Sequence, residues 1–163
     1  QARIFTLPDE PPPIAVAASQ PQAAQLAGRL GDALISVAPD DELVAEFEEA
    51  GGKGKLRYGQ LHVCYDEDEE RARKTAHDVW PNAAMGGALG QELATTSHYE
   101  AVAELVREED VDAAVVCGPD PDAHLEKIRE YERAGFTHVF VHQIGSEQDA
   151  FLRFYSEKVL PEL

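Results

Sequence analysis

Six histidines (His62, His77, His98, His124, His138, His142) and two cysteines (Cys64, Cys117) are the side chains best suited to move protons, hold a metal or attack carbon. None of the histidines falls in a zinc-protease pattern, so no metal site is expected. His138 and His142 stand four apart in a strand-like run and therefore share a face. His142 and its neighbour Gln143 close that run, at the strand end where parallel α/β proteins keep their sites. They are substrate-side candidates, with a histidine satisfied by local backbone as the alternative. Cys64 and Cys117 lie in apolar runs with no CxxC, which reads as buried, inert thiols. No GxSxG elbow is present. Ala17-Ala18-Ser19-Gln20-Pro21 is a small-residue turn between a strand and a helix, where free N–H groups and the helix dipole favour an anion. It lacks the glycine patterns of nucleotide loops, and an ordinary connecting turn is the alternative. Trp80, just before Pro81, either covers a flat ligand or closes a helix end.

The elements that would position these residues read as follows. Residues 1–13 are an extended, proline-rich lead-in, since Pro11-Pro12-Pro13 fits neither helix nor inner strand. Short apolar runs at 14–18, 33–38, 58–65, 113–117 and 138–142 are buried strands. Between them lie amphipathic helices, opened by Ser19 or Gln20 with Pro21, by Pro39-Asp40-Asp41, by Asp66 and by Gly118-Pro119-Asp120-Pro121, and stopped by Gly31 and Gly135, with a further helix over 98–107 that turns Val102, Ala103 and Val106 inward. Gly51 to Lys55 reads as a loop. The stretch 81–97 is glycine-containing and weakly periodic, and reads as an irregular insertion with a short helix. Gly145-Ser146 leads to a final helix with Phe151, Leu152 and Tyr155, ending near Pro161. Strand–helix alternation is the grammar of a parallel sheet with right-handed crossovers. A (β/α)8 barrel usually needs roughly 250 residues. A chain of 163 residues accommodates about half of one, as a single partial domain over 1–163.

Composition narrows the partners. With 44% hydrophobic and 28% charged residues the chain is an ordinary globular mixture. Its 31 acids against 14 bases give a charge of −17, which argues against nucleic acid or an anionic membrane as partner. The acid clusters, such as Asp66-Glu67-Asp68-Glu69-Glu70, lack a calcium-loop glycine and read as solvated helix starts. Unpaired cysteine usage and the lack of a long apolar span point to the cytoplasm. The chain begins at Gln1 and its only methionine is Met85, as expected of a processed chain or a piece of a longer one.

Three long runs carry a resemblance: PPPIAVAASQPQAAQLAGRLGDALI, GKGKLRYGQLHVCYDEDEERARKTAHDVWPNAA, and EEDVDAAVVCGPDPDAHLEKIREYERAGFTHVFVHQIGSEQDAFLRFYSEKVLPEL. Together they resemble the C-terminal half of a luciferase-like oxidoreductase, within the deazaflavin (coenzyme F420)-dependent branch that includes glucose-6-phosphate dehydrogenase. The resemblance implies the C-terminal half of a (β/α)8 TIM barrel, starting at its fifth strand, with 1–13 a piece of insertion. It implies coenzyme F420, with FMN as the alternative in a luciferase-type monooxygenase. The family's catalytic histidine, tryptophan and glutamate belong to its first half, so no catalytic residue is expected here. What carries over is the cofactor-phosphate side: Ala17, Ala18, Ser19 and Gln20, with Ile35 and Ser36 ending the next strand. Gln20 stands where the family has a glycine. The positions matching the family's sugar-phosphate clamp are Pro39, Ala113 and Asp149 or Ala150. None is basic, which predicts a non-phosphorylated substrate. Partners implied are that substrate, the other half of the barrel and a second copy. A non-catalytic half-barrel or interaction module is the reading from a different class.

Overall fold

The computed structural model describes residues 8–85 and 89–163. The chain divides into two compact units, Gln1–Gly59 with Tyr131–Val139, and Gln60–Glu130 with Phe140–Leu163.

In the first unit, strand β1 (Ala15–Ala17) pairs in parallel with β2 (Ala33–Ser36), Ala15 opposite Ala33 and Ala17 opposite Ile35. Along its other edge β2 pairs in parallel with the start of β3 (Leu56–Cys64), Ala33 opposite Leu56 and Ser36 opposite Gly59. Helix α1 (Pro21–Leu30) has Gln20 as N-cap and Pro21 at its first position, and it stops at Gly31, whose N–H returns to the Ala27 carbonyl. Helix α2 (Asp41–Phe47) is capped by the Asp40 carboxylate, which accepts from the Leu43 N–H at 2.9 Å. The chain continues in wider π-turns from Glu48 and leaves the helix at Gly51, whose φ of 109° is left-handed, so the expected loop begins there. Gly28 lets α1 settle on this segment: a Cβ there would stand 2.4 Å from the Phe47 carbonyl oxygen. Leu34, Leu43, Val44 and Phe47 form the apolar interior.

In the second unit, the end of β3 pairs in parallel with β4 (Val116–Cys117), Val63 opposite Val116 and Cys64 opposite Cys117. Residues 113–115, expected as strand, instead close helix α6 (Glu108–Asp112), with the Ala114 and Val115 N–H groups both bonded to Val111 O. Helix α3 (Glu69–Val79) is capped by Asp68, not Asp66. Asp66 instead accepts from the Asp68 N–H and from the Arg71 guanidinium. In a run of acids only the residue immediately before the first turn has the extended backbone a cap needs. The stretch after Trp80 holds a 3-10 turn (Pro81–Ala84), a short helix α4 (Leu89–Glu92) and α5 (Thr96–Ala103). The turn and α4 are the irregular helical insertion expected over 81–97, apart from 86–88, which lie outside the described residues; α5 is the helix expected over 98–107, and it ends early, at Ala103. Helix α7 (Pro121–Arg133) leads to β5 (His138–Gln143), and α8 (Gln148–Phe154) follows. Phe151, Phe154 and Tyr155 are buried at i, i+3 and i+4, the spacing of one helical face, and Leu152, one residue off that face, is 61% exposed. The chain continues past α8 in π-turns over Tyr155–Val159.

Strand β5 pairs with β3. In the first unit Thr137 N–H bonds Arg57 O, and in the second Ile144 N–H bonds Val63 O, each at 2.9 Å. Along β3, Gly59, Leu61 and Val63 are buried while Tyr58, Gln60 and His62 face the other way and stay half-open. Each of the five apolar runs holds a strand, the fourth only in its last two residues, and every registered pair is parallel.

Candidate functional site

The cofactor-side candidates lie in the first unit. The Ala18 N–H donates to Ile35 O at 2.9 Å, which ties the turn after β1 to the end of β2. Ala18 is buried, while Ala17, Ser19 and Gln20 are exposed. Gln20 has φ −141° and ψ 152°, an extended conformation that any residue adopts. The glycine expected at this position is therefore not required by the backbone. Pro21 has no N–H, and those of Ala23 and Ala24 return to Gln20 O, so Gln22 offers the first helical donor. The Ser36 hydroxyl turns onto its own chain, accepting from the Ala38 N–H at 3.3 Å. The turn thus offers small side chains, one serine hydroxyl and a helix start, a set that fits the phosphate arm of a cofactor.

The substrate-side candidates lie in the second unit. His142 on β5 and His62 on β3 meet Nδ1 to Nδ1 at 3.0 Å, their ring centroids 5.2 Å apart at 74°. Trp80 joins them, its ring 5.1 Å from His142 and 5.8 Å from His62. Pro81 sets this position, because the residue before a proline avoids the helical region and Trp80 turns out of α3. Its N–H still closes the helix on Ala76 O at 2.8 Å. Burial first, and then the neighbouring His142, hold the His62 pKa below the ordinary imidazole value. Gln143 is buried and spends its whole amide on one residue: Oε1 accepts from the Tyr65 N–H at 2.8 Å and Nε2 donates to Tyr65 O at 3.1 Å. It therefore shapes the site by holding the chain after β3.

A cavity of about 130 Å³ lies among Cys64, Tyr65, Asp66, Arg71, Gly145 and Ser146. Its arginine is committed: Arg71 Nε and Nη2 reach the two Asp66 oxygens at 2.7 and 2.5 Å, holding the Asp66 carboxyl below its usual range. A second cavity of about 300 Å³ is lined by Arg73 and Lys127, but Arg73 pairs with Glu69 and Asp112, and Lys127 with Glu130. Neither cavity presents a cation free to clamp a phosphate.

The remaining histidines are structural or peripheral. His77 Nε2 bonds Val106 O, His124 is fully buried between Tyr155 and Gly118, and His138 packs against Tyr58 in the first unit, the rings tilted by 58°. No group of three metal-binding side chains occurs among the described residues, and no helix there is long and apolar enough to cross a membrane. The two thiols, distant in sequence, are register neighbours and both free. Burial raises both, Cys117 to about 12, so neither is a nucleophile at neutral pH. Sequence reasoning missed His62 as a site residue. Its only signal is strand phase, and its partner is 80 residues away.

The luciferase-like monooxygenase family model matches residues 1–138. The chain is 32% identical over 174 residues to an F420-dependent glucose-6-phosphate dehydrogenase of Beutenbergia cavernae, covering 99% of this chain and 52% of that relative. It spans about half the length of the curated relatives it matches. An F420-dependent secondary alcohol dehydrogenase solved with an F420–acetone adduct is similar at TM-score 0.80 and 19% identity, over 97% of this chain and 51% of the other. The coenzyme F420-dependent tetrahydromethanopterin reductase of Methanopyrus kandleri follows at TM-score 0.67 and 21% identity, over 92% and 50%. The fold is thus the α/β parallel-strand fold of half such an enzyme, as expected. Small-residue turn, parallel strands and matched family lead to one assignment: the chain belongs to the luciferase-like monooxygenase family.

Proposed function

We propose that this chain is one partial domain, the C-terminal half of an F420-dependent oxidoreductase, and that it contributes the cofactor-phosphate side of the active site. The reading rests above all on a relative at 32% identity that is named for coenzyme F420. In it, Ala17, Ala18, Ser19 and Gln20 bring backbone and hydroxyl donors to the cofactor's phosphate arm, and Ser36 fixes the strand end beside them. The bound deazaflavin would supply hydride transfer. The residues of the turn bind and orient the cofactor. The family's catalytic histidine, tryptophan and glutamate belong to the other half of the barrel, which is the first partner; the chain alone is inactive. The substrate is non-phosphorylated, because Pro39, Ala113, Asp149 and Ala150 carry no positive charge and the arginines and lysine lining the cavities are ion-paired. The cytoplasm is the compartment that suits two free thiols.

The test is equilibrium binding of F420 and of FMN to this chain and to its longer parent, followed by cofactor fluorescence and absorbance. The parent is expected to bind F420, and Ala18→Asp to weaken it by tenfold or more through charge repulsion at the phosphate. FMN bound in its place would make the protein a flavin-dependent monooxygenase. If the parent binds neither, this chain is a non-catalytic half-barrel or interaction module.

A further inference from the structure

His62 and His142 do something together that neither does alone. Two neutral imidazoles that meet Nδ1 to Nδ1 at 3.0 Å must be opposite tautomers, one donating and one accepting. Their outer Nε2 atoms are then unlike: one is an acceptor, the other an N–H donor. Among the described residues neither Nε2 is a buried, unpartnered atom, so solvent or a ligand reaches them. Both rings sit within two residues of their strand's C-terminal end, and both lie on the half-open face of β3 and β5. Trp80 walls one side.

We propose that His62 and His142 form a two-imidazole proton carrier that meets an uncharged oxygen of the substrate, an alcohol hydroxyl or the corresponding carbonyl. The pair carries no fixed charge, so it suits neutral oxygen and not phosphate. In alcohol oxidation the hydroxyl proton passes to the accepting Nε2. The shared proton crosses from one Nδ1 to the other, and the partner's Nε2 proton leaves to water. The C–H electron pair leaves as hydride to the deazaflavin, the oxidant, and the alcohol becomes a carbonyl. Reduction runs the same path backwards. The step rests on the F420 reading above, while the pair itself needs no cofactor to be observed.

The experiment has two arms. In the chain alone, Trp80 is the only tryptophan, and an imidazolium beside it quenches its fluorescence. Its fluorescence and the 15N–1H correlations of labelled histidine are followed from about pH 8 to about pH 5, a window around the ordinary histidine pKa. Besides the pair, β3 and β5 carry Arg57, Tyr58, Cys64 and His138, and the end of α3 adds His77, held on Val106 O, and Asp78, paired with Lys74. Opposite tautomers are expected, with quenching below the usual histidine range and a His62 midpoint that rises in His142→Asn. Two like tautomers, or two independent titrations, would overturn the pair. In the second arm 2-propanol, acetone or inorganic phosphate is added to the labelled parent with F420. Saturable shifts of the pair's Nε2 signals with 2-propanol or acetone, lost in His62→Asn and His142→Asn, are expected. Shifts with phosphate, or with none of the three, would overturn the substrate role. A parent that fails to bind F420 sinks the F420 reading, and the first arm still judges the pair.

Discussion

Gln143 replaces a strand partner with a side chain. Both of its amide groups bond the Tyr65 backbone, and removing them leaves a buried N–H and C=O without partners. Gln143→Ala should therefore cost about 1–3 kcal/mol, read as a lower urea midpoint with unchanged slope. Gly59 makes a steric demand: a Cβ there would stand 2.4 Å from Cδ1 of the buried Tyr131 ring. That ring is anchored by its hydroxyl to Val37 O at 3.0 Å and cannot swing away, so Gly59→Ala should destabilise by about 1–3 kcal/mol. An unchanged melting temperature would mean the ring yields. At this scale the sequence was only partly readable. The small turn at Ala17–Gln20 and the aromatic stop at Trp80 follow from local residue types. That Gln143 faces its neighbour's backbone, and that His142 meets His62, depends on registers set 78 and 80 residues away.

Among the elements, α7 and the C-terminal segment are locked by one histidine. His124 Nε2–H donates to Gly118 O at 3.0 Å, which leaves Nδ1 to accept from the Tyr155 hydroxyl at 2.9 Å. That tautomer satisfies a fully buried neutral ring, and burial holds its pKa below 6.5. A histidine lowered in the folded state stabilises fully above the unfolded value, and this contribution is lost as pH falls through 6.5 toward the folded value. Urea midpoints should therefore drop from about pH 7.5 to about pH 5.5, around the histidine range, and His124→Asn should flatten that slope. His62 is lowered too and contributes with the same sign, so the variant keeps part of the slope. The Asp66 carboxyl, lowered by Arg71, acts only below this window. Elements were the readable scale: each apolar run holds a strand and the main helices follow their starts and stops, although β4 keeps only the end of its run and α3 starts later than Asp66. These two shifts have one cause. Runs such as 66–70 and 113–117 offer several equivalent starts, and only tertiary hydrogen bonding selects one.

For the whole molecule, charge dominates. Seventeen excess negative charges repel one another, while the ion pairs of α3 and α6 are mostly exposed and contribute about 0–1 kcal/mol each. Self-repulsion outweighs those pairs, so raising NaCl from about 0.02 M to about 0.5 M, which shortens the Debye length several-fold, should raise the melting temperature. A fall would show that the pairs matter more.

The division of the chain has a consequence for its biosynthesis. The first unit is built from Gln1–Gly59 and Tyr131–Val139, with most of the second unit's residues between them. On the ribosome the nascent first unit waits for residue 139, and the second for the segment after it. Neither unit can be cut out as one continuous piece, and the two must complete their folding almost together, as the last strand and helix emerge.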